Sequence, residues 1–191
     1  MECVSPIRTA LLDAAYDAAV SVGWSRARMA DVAAAAGVSR QTLYTEFGTK
    51  DGLAQALALR EAARFVDGSE AELTGAEGTP AEAVAASTAW TLRTAADDPL
   101  IKAVLTDDGS DGLLPFLTTR SDALIAAVTE RHVAYLRSHW ADLPEGDLHF
   151  VADIVVRLTV SHIVTPAASS DVTAARIAHL VDRLLPGGTL V

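Results

Sequence analysis

Proline, glycine and acidic pairs cut this 191-residue chain into pieces, and within each piece apolar residues recur at three- and four-residue intervals. That is the period of a helix with one buried face. No run of alternating β-branched residues is long enough to make a strand. Breaks fall at Gly23, Gly37 and Gly48, between Asp67 and Pro80, at Asp97-Asp98-Pro99, and at Asp107 to Gly112. Two more lie at Ala141 to Pro144 and Pro166 to Ser170. Helix starts are marked as well. Ser5 before Pro6 reads as an N-cap with proline at the first helical position. Thr79-Pro80-Ala81-Glu82 reads as a capping box, and Thr119 with Asp122 and Asp142 with Glu145 repeat its spacing. The pattern predicts about nine helices, near 6–22, 29–36, 39–46, 50–66, 80–96, 99–106, 113–140, 145–165 and 171–185, with Pro115 a candidate interruption in the seventh. The expected fold class is all-α.

Composition narrows the chemistry. Half of the residues are hydrophobic, too many for a disordered chain. The single cysteine, Cys3, excludes an intramolecular disulfide framework and a multi-cysteine metal site. Asp13 and Asp17 interrupt the N-terminal apolar stretch, so no export signal is expected. No segment offers the roughly 20 apolar residues of a membrane span. A cytoplasmic protein is the expectation. The formal charge of −10 is divided unevenly: residues 1–60 carry six basic and six acidic side chains, and the rest carry nine against nineteen. Two regions with different duties follow from that division.

Residues 28–50, RMADVAAAAGVSRQTLYTEFGTK, carry the strongest signal. Two short helices that cross closely need a small side chain at the contact, which Ala33 supplies. They also need a residue tolerant of positive φ in the turn, which Gly37 supplies. Val32, Val38 and Leu43 would fill the wedge between them, and Ser39 would cap the second helix. That helix then displays Arg40, Gln41, Thr42, Tyr44 and Thr45. Arg and Gln form bidentate hydrogen bonds with guanine and adenine edges in the major groove. Hydroxyls, together with Lys50 at the start of the next helix, suit phosphate oxygens.

Residues 6–57 resemble the N-terminal DNA-binding domain of TetR-type (TetR/AcrR) transcriptional regulators. The resemblance rests on Asp31-Val32-Ala33, Ala36-Gly37-Val38-Ser39, Thr42-Leu43-Tyr44, Phe47, and Lys50 opening a fourth helix whose Leu53 packs back. It implies a three-helix head at 1–50 and a larger helical domain at 51–191 that binds an effector and dimerises. The Ω-shaped homodimer would pair its last two long helices. Three positions depart from the family. Ala27 and Arg28 stand where Ser or Thr is common, so Arg28 would contact phosphate by charge. Gln41 replaces a small residue, and Glu46 stands where a neutral or basic residue is usual. A carboxylate is unfavourable near phosphate, so Glu46 should point away or read a cytosine amino group.

Beyond the head the sequence is less specific. Trp90, Ile101, Leu105, Phe116, Leu124, Val128 and Tyr135 are apolar residues of the middle helices, with Arg93 and His132 as polar handles. A cavity lined by them would take an apolar or amphipathic ligand. Phe150, Ile154, Leu158 and Ser161 share one helical face, as do Ile177, Leu180, Val181 and Leu184. These are the expected dimer surface, with intrachain core as the alternative. His132 and His139 are two turns apart, about 10 Å, too far to share an ion. His132 therefore reads as a core or pocket histidine with one satisfied nitrogen. Asp107 to Gly112 lacks the terminal glutamate of a calcium loop and reads as a solvated loop. No catalytic or nucleotide motif is present, and neither a cofactor nor a metal is expected.

The expected function is a homodimeric, ligand-responsive repressor on a palindromic DNA operator. The alternatives are an all-α enzyme or carrier that contains a helix-turn-helix, and a protein-binding scaffold. Salt-sensitive binding to its own upstream DNA and a homodimeric mass would separate these.

Overall fold

The computed structural model describes residues 5–73, 78–107 and 112–185. Cys3 and residues 108–111 of the acidic loop lie outside them. The described residues form ten α-helices, one 3-10 turn and no strand. In chain order these are α1 (Pro6–Val22), the turn Trp24–Arg26, α2 (Met29–Ala35), α3 (Arg40–Phe47) and α4 (Lys50–Leu73). Then come α5 (Pro80–Asp97), α6 (Pro99–Thr106), α7 (Leu114–Leu117), α8 (Asp122–His139), α9 (Glu145–Val164) and α10 (Ser170–Leu184). The all-α expectation holds.

Local chemistry accounts for most boundaries. The capping box forms: the Thr79 amide donates to Glu82 Oε2 at 2.8 Å, and the Glu82 amide to Thr79 Oγ1 at 3.2 Å. Asp98 caps α6 by accepting from the amides of Leu100 and Ile101. Three expected caps do not form. Ser5 precedes α1, but its side chain makes no cap bond. Thr119 lies three residues before Asp122, which opens α8, so Ser121 rather than Thr119 precedes the helix, and Pro144 rather than Asp142 precedes α9. The expected single helix at 113–140 is two. Pro115 is accepted in the first turn of α7, and a turn at Thr118–Arg120, closed by Arg120 N–H on the Pro115 carbonyl, ends it.

Two compact units result. The first comprises Met1–Glu61 with Asp98–Ser121, the second Ala62–Asp97 with Asp122–Val191. This division differs from the expected one at residue 50. The reason is the core of the first unit, which draws on both of its segments. Leu11, Ala15, Trp24, Val32, Ala33, Leu43, Leu53 and Leu57 are buried with Leu100, Val104, Leu113 and Phe116. The unit is also tied by ion pairs between distant segments: Arg60 with Asp13 at 2.6 Å and Arg120 with Asp51 at 2.7 Å.

In the second unit α5 packs chiefly on α10, and α8 on α9. Its buried apolar residues form separate groups. Val84, Val151, Val155, Ile177 and Val181 make one, and Val133, Leu136, Leu148 and Ala152 another. Trp90 lies edge-on to Phe65, with centroids 6.3 Å apart, and covers Gly68 so closely that a Cβ there would fall 2.1 Å from the indole. The hydroxyls of Thr88 and Thr129 are buried without a hydrogen-bond partner.

This packing corrects part of the expected dimer face. Ile177 and Val181 are buried in their own chain, and Leu158 and Leu184 pack against the same group. A helix lying on α5 and α9 needs an apolar stripe for them before it has one for a second subunit. Phe150, Leu180 and Ser161 remain exposed, with Ile154 half-buried.

Candidate nucleic-acid interface

The reading head is built by α2 and α3. Gly37 takes φ +71° in the turn, where an added Cβ would meet nothing within 4 Å. The demand for glycine there is conformational, not steric. The Val38 amide then closes on the Ala33 carbonyl at 3.0 Å, and Ala33 is small enough to be buried in the crossing. Ser39 Oγ accepts from the Thr42 amide at 3.0 Å, capping α3 as its type requires.

One turn of α3 sorts its residues cleanly. Leu43 and Phe47 point inward and are buried. Arg40, Gln41, Tyr44 and Thr45 are exposed, with Ser39 exposed at the N-cap and Thr42 half-buried. Arg40 donates to Tyr44 Oη at 3.3 Å, and its guanidinium lies 5.4 Å from the ring centroid. That hydrogen bond raises the Arg40 pKa above its ordinary value, so its charge is secure. The Tyr44 ring stands outward at 38% exposure as a platform for Arg40. Thr45 Oγ1 donates to the Gln41 carbonyl, and Ser39 and Thr42 share one hydrogen bond at 2.8 Å. That pair retains one hydroxyl proton for an outside acceptor.

Charge is arranged where the sum had hidden it. Glu46 turns toward Arg8 of α1 at 3.9 Å, and Arg8 lies 4.5 Å over the Phe47 ring. Asp13 and Asp51 are held by Arg60 and Arg120. Arg28, exposed at the N-cap of α2, and Arg40 have no carboxylate partner among the described residues. Despite the balanced charge of residues 1–60, Arg28 before α2 and Arg40 on α3 thus keep guanidiniums that no carboxylate answers. Lys50 is half-buried; its ammonium donates to the Ser25 carbonyl at 3.2 Å and lies 5.5 Å from the Trp24 ring centroid. Two of its three protons remain.

The expected effector residues are not gathered in one unit. Phe116 is buried in the core of the first, whose α6 also carries the half-buried Ile101 and the exposed Leu105. Arg93 is exposed and paired with Asp171 at 2.5 Å, tying α5 to α10. Trp90, Leu124, Val128, His132 and Tyr135 belong to the second unit. His132 Nδ1 bonds the Val128 carbonyl at 2.9 Å, and burial holds the ring below its ordinary pKa of 6.5. Burial also raises the Tyr135 pKa.

Known proteins share this architecture. A family model described as "Bacterial Tetracyclin repressor, C-terminal domain" matches residues 80–183, and one described as "Bacterial regulatory proteins, tetR family" matches residues 11–57. The chain belongs to the TetR family. The HTH-type transcriptional regulator AlkX of Mycobacterium tuberculosis is 35% identical over 175 residues, covering 92% of this chain and 83% of that protein. The crystal structure of the TetR family repressor AlkX from Dietzia sp. strain DQ12-45-1b, implicated in biodegradation of n-alkanes, superimposes with a TM-score of 0.81. It is 32% identical and covers 97% of both chains. The fatty acid degradation regulator FadR from Bacillus halodurans, 16% identical, shares the fold at a TM-score of 0.59 over 94% of this chain and 96% of that one. This TetR-family chain is a DNA-binding transcriptional regulator and not an enzyme. No helix among its described residues is long and apolar enough to cross a membrane.

Sequence reading missed two features of the head. Arg8 faces Glu46 from another helix, and Asp107 holds Ser25 from 82 residues away. Neither has a local signature; only a contact between distant segments shows them.

Proposed function

We propose that the chain is a cytoplasmic repressor that binds a palindromic operator as a homodimer and is released by a small apolar or amphipathic effector. Each subunit lays α3 in a major groove. Arg40 and Gln41 meet base edges, while Ser39, Thr42, Tyr44 and Thr45, with Arg28 and Lys50, meet phosphates. The observation that carries this reading is α3 itself, where Arg40, Gln41, Tyr44 and Thr45 stand exposed and Arg40 has no carboxylate partner among the described residues. A second copy would cover the exposed Phe150 of α9 and Leu180 of α10. An open, apolar groove of about 610 Å³ along Val172, Ala175, Leu180 and their basic neighbours supports that choice.

The effector reading draws on Trp90, Leu124, Val128, His132 and Tyr135, and on the relatives. Because the Dietzia AlkX repressor is implicated in n-alkane biodegradation, the effector class tested first is a long-chain alkane, alcohol or fatty acid. The test is binding to DNA from upstream of the chain's own gene, followed against salt. The account expects one dimer per site, affinity falling steeply as salt rises, and release by an aliphatic ligand. Salt-insensitive binding, or a monomer on the site, would overturn it.

A further inference from the structure

Every polar group of Ser25 is held by a residue from elsewhere in the chain. Asp107 Oδ2 accepts from the Ser25 amide at 3.0 Å, and Asp107 Oδ1 accepts from its hydroxyl at 2.7 Å. Lys50 Nζ donates to the Ser25 carbonyl at 3.2 Å. All three residues are half-buried, and all lie in the first unit. Gly23, two residues earlier, takes φ +83°, and a Cβ there would sit 3.5 Å from the same carboxylate. Two residues later Ala27 is buried, and Arg28 is then the N-cap of α2. The turn that fixes where the helix-turn-helix begins is thus clamped between the C-cap residue of α6 and the first residue of α4.

We propose that Asp107 is a positioning residue for DNA reading, acting through Ser25, with Lys50 closing the other side of the clamp. The proposal rests on the functional reading above, since it concerns how well α3 is aimed. Base readout requires side chains held within about 0.5 Å of their productive geometry. The helix before the reading helix starts four residues after Ser25, so slack at Ser25 becomes misplacement of α2 and of α3 beyond it. Hydrogen bonds to a carboxylate are about twice as strong as neutral ones, which suits a joint that must not yield. Asp107 does this work from a loop whose composition suggests only solvation.

The sign of the effect separates positioning from simple electrostatics. Removing a carboxylate from a DNA-binding unit lowers its repulsion for phosphate and should tighten binding. Positioning predicts the reverse. The full-length protein and its Asp107→Ala, Asp107→Asn and Ser25→Ala variants are titrated with two duplexes. One is the upstream segment the unmodified protein protects; the other is an unrelated sequence of equal length.

Asp107→Ala should lose about tenfold on the protected duplex, the equivalent of one charge-assisted bond, with no loss on the unrelated one. Asn keeps an acceptor for the amide and a group for the hydroxyl, so Asp107→Asn should stay within about threefold. Ser25→Ala, losing one leg of the clamp, should fall between the two. Equal losses in Asp107→Ala and Asp107→Asn, or none in Asp107→Ala, would overturn the proposal. If Asp107→Ala fails to fold by circular dichroism, Ser25→Ala decides in its place.

Amide exchange gives a reading without DNA: in Asp107→Ala, α2 should exchange faster while α9 and α10 do not change. Unchanged exchange in α2 contradicts the proposal. If the unmodified protein shows no preference for upstream DNA, the functional reading fails, and the exchange result alone decides the clamp.

Discussion

The two compact units solve the same packing problem differently. The first draws buried side chains from α1 through α4 and from α6 and α7 into one continuous group, and locks its segments with Arg60–Asp13, Arg120–Asp51 and the clamp on Ser25. The second divides its buried apolar residues into separate groups and leaves the hydroxyls of Thr88 and Thr129 buried without partners. A reading head works by presenting one fixed geometry, so a single cross-tied core serves it. If the second unit takes the proposed effector, groups that can shift against each other and polar atoms not yet committed would serve it. On that proposal, rigidity and responsiveness fall to different parts of one chain.

Matched truncations are the most forceful way to break that contrast. Leu43 and Leu148 are both almost wholly buried. Leu43→Ala should cost about 4 kcal/mol of local stability and Leu148→Ala about 2.5, because the cost of a cavity depends on how far its walls can relax. Hydrogen exchange resolved by helix measures the two separately; equal costs would erase the distinction. Next in size is Gly68→Ala, whose methyl would collide with the Trp90 ring. About 2 kcal/mol of destabilisation is expected, confined to α4, α5 and their neighbours. Loss in α3 as well would show that the units do not respond separately.

Thr129→Val is smaller and opposite in sign. Replacing an unpartnered buried hydroxyl by a methyl of the same shape should stabilise the second unit by about 1 kcal/mol. A destabilised variant would mean that the hydroxyl already has a partner. The smallest effect is that of pH. Burial keeps the folded His132 pKa below 6.5, so below that pH the unfolded chain takes up a proton that the folded chain refuses. Stability from this group is complete above about pH 6.5 and declines as pH falls toward the folded value. His132→Gln should flatten that decline in the second unit and leave the first unit's profile unchanged.

How much of this was legible in the sequence follows the same division. The head could be read because each position answers a demand the residue type alone satisfies. Gly37 takes a positive φ, Ala33 allows a close crossing, Ser39 caps a helix, and Leu43 and Phe47 are buried while Arg40 and Gln41 stay exposed. What escaped notice there acts across distance. Asp107 stands in a loop that composition marks as solvated, and Arg8 faces Glu46 from another helix. In the second unit an apolar stripe declares only that something covers it. Ile177 and Val181 carry the same spacing whether α5 and α9 or another subunit lies on them, and burial resolved what period could not. Arg93, a plausible polar handle by composition, is taken by Asp171.

The central claim is that α3 reads bases through Arg40 while its neighbours hold the backbone. The most direct measurement is the affinity of the unmodified protein and of Arg40→Ala for a series of duplexes carrying every single base change across the protected site. The account predicts that Arg40→Ala loses discrimination, about 1–3 kcal/mol, at one base pair and at its symmetry mate in the other half-site, with preferences elsewhere retained. A uniform loss at all positions, or an unaltered preference profile, would contradict it.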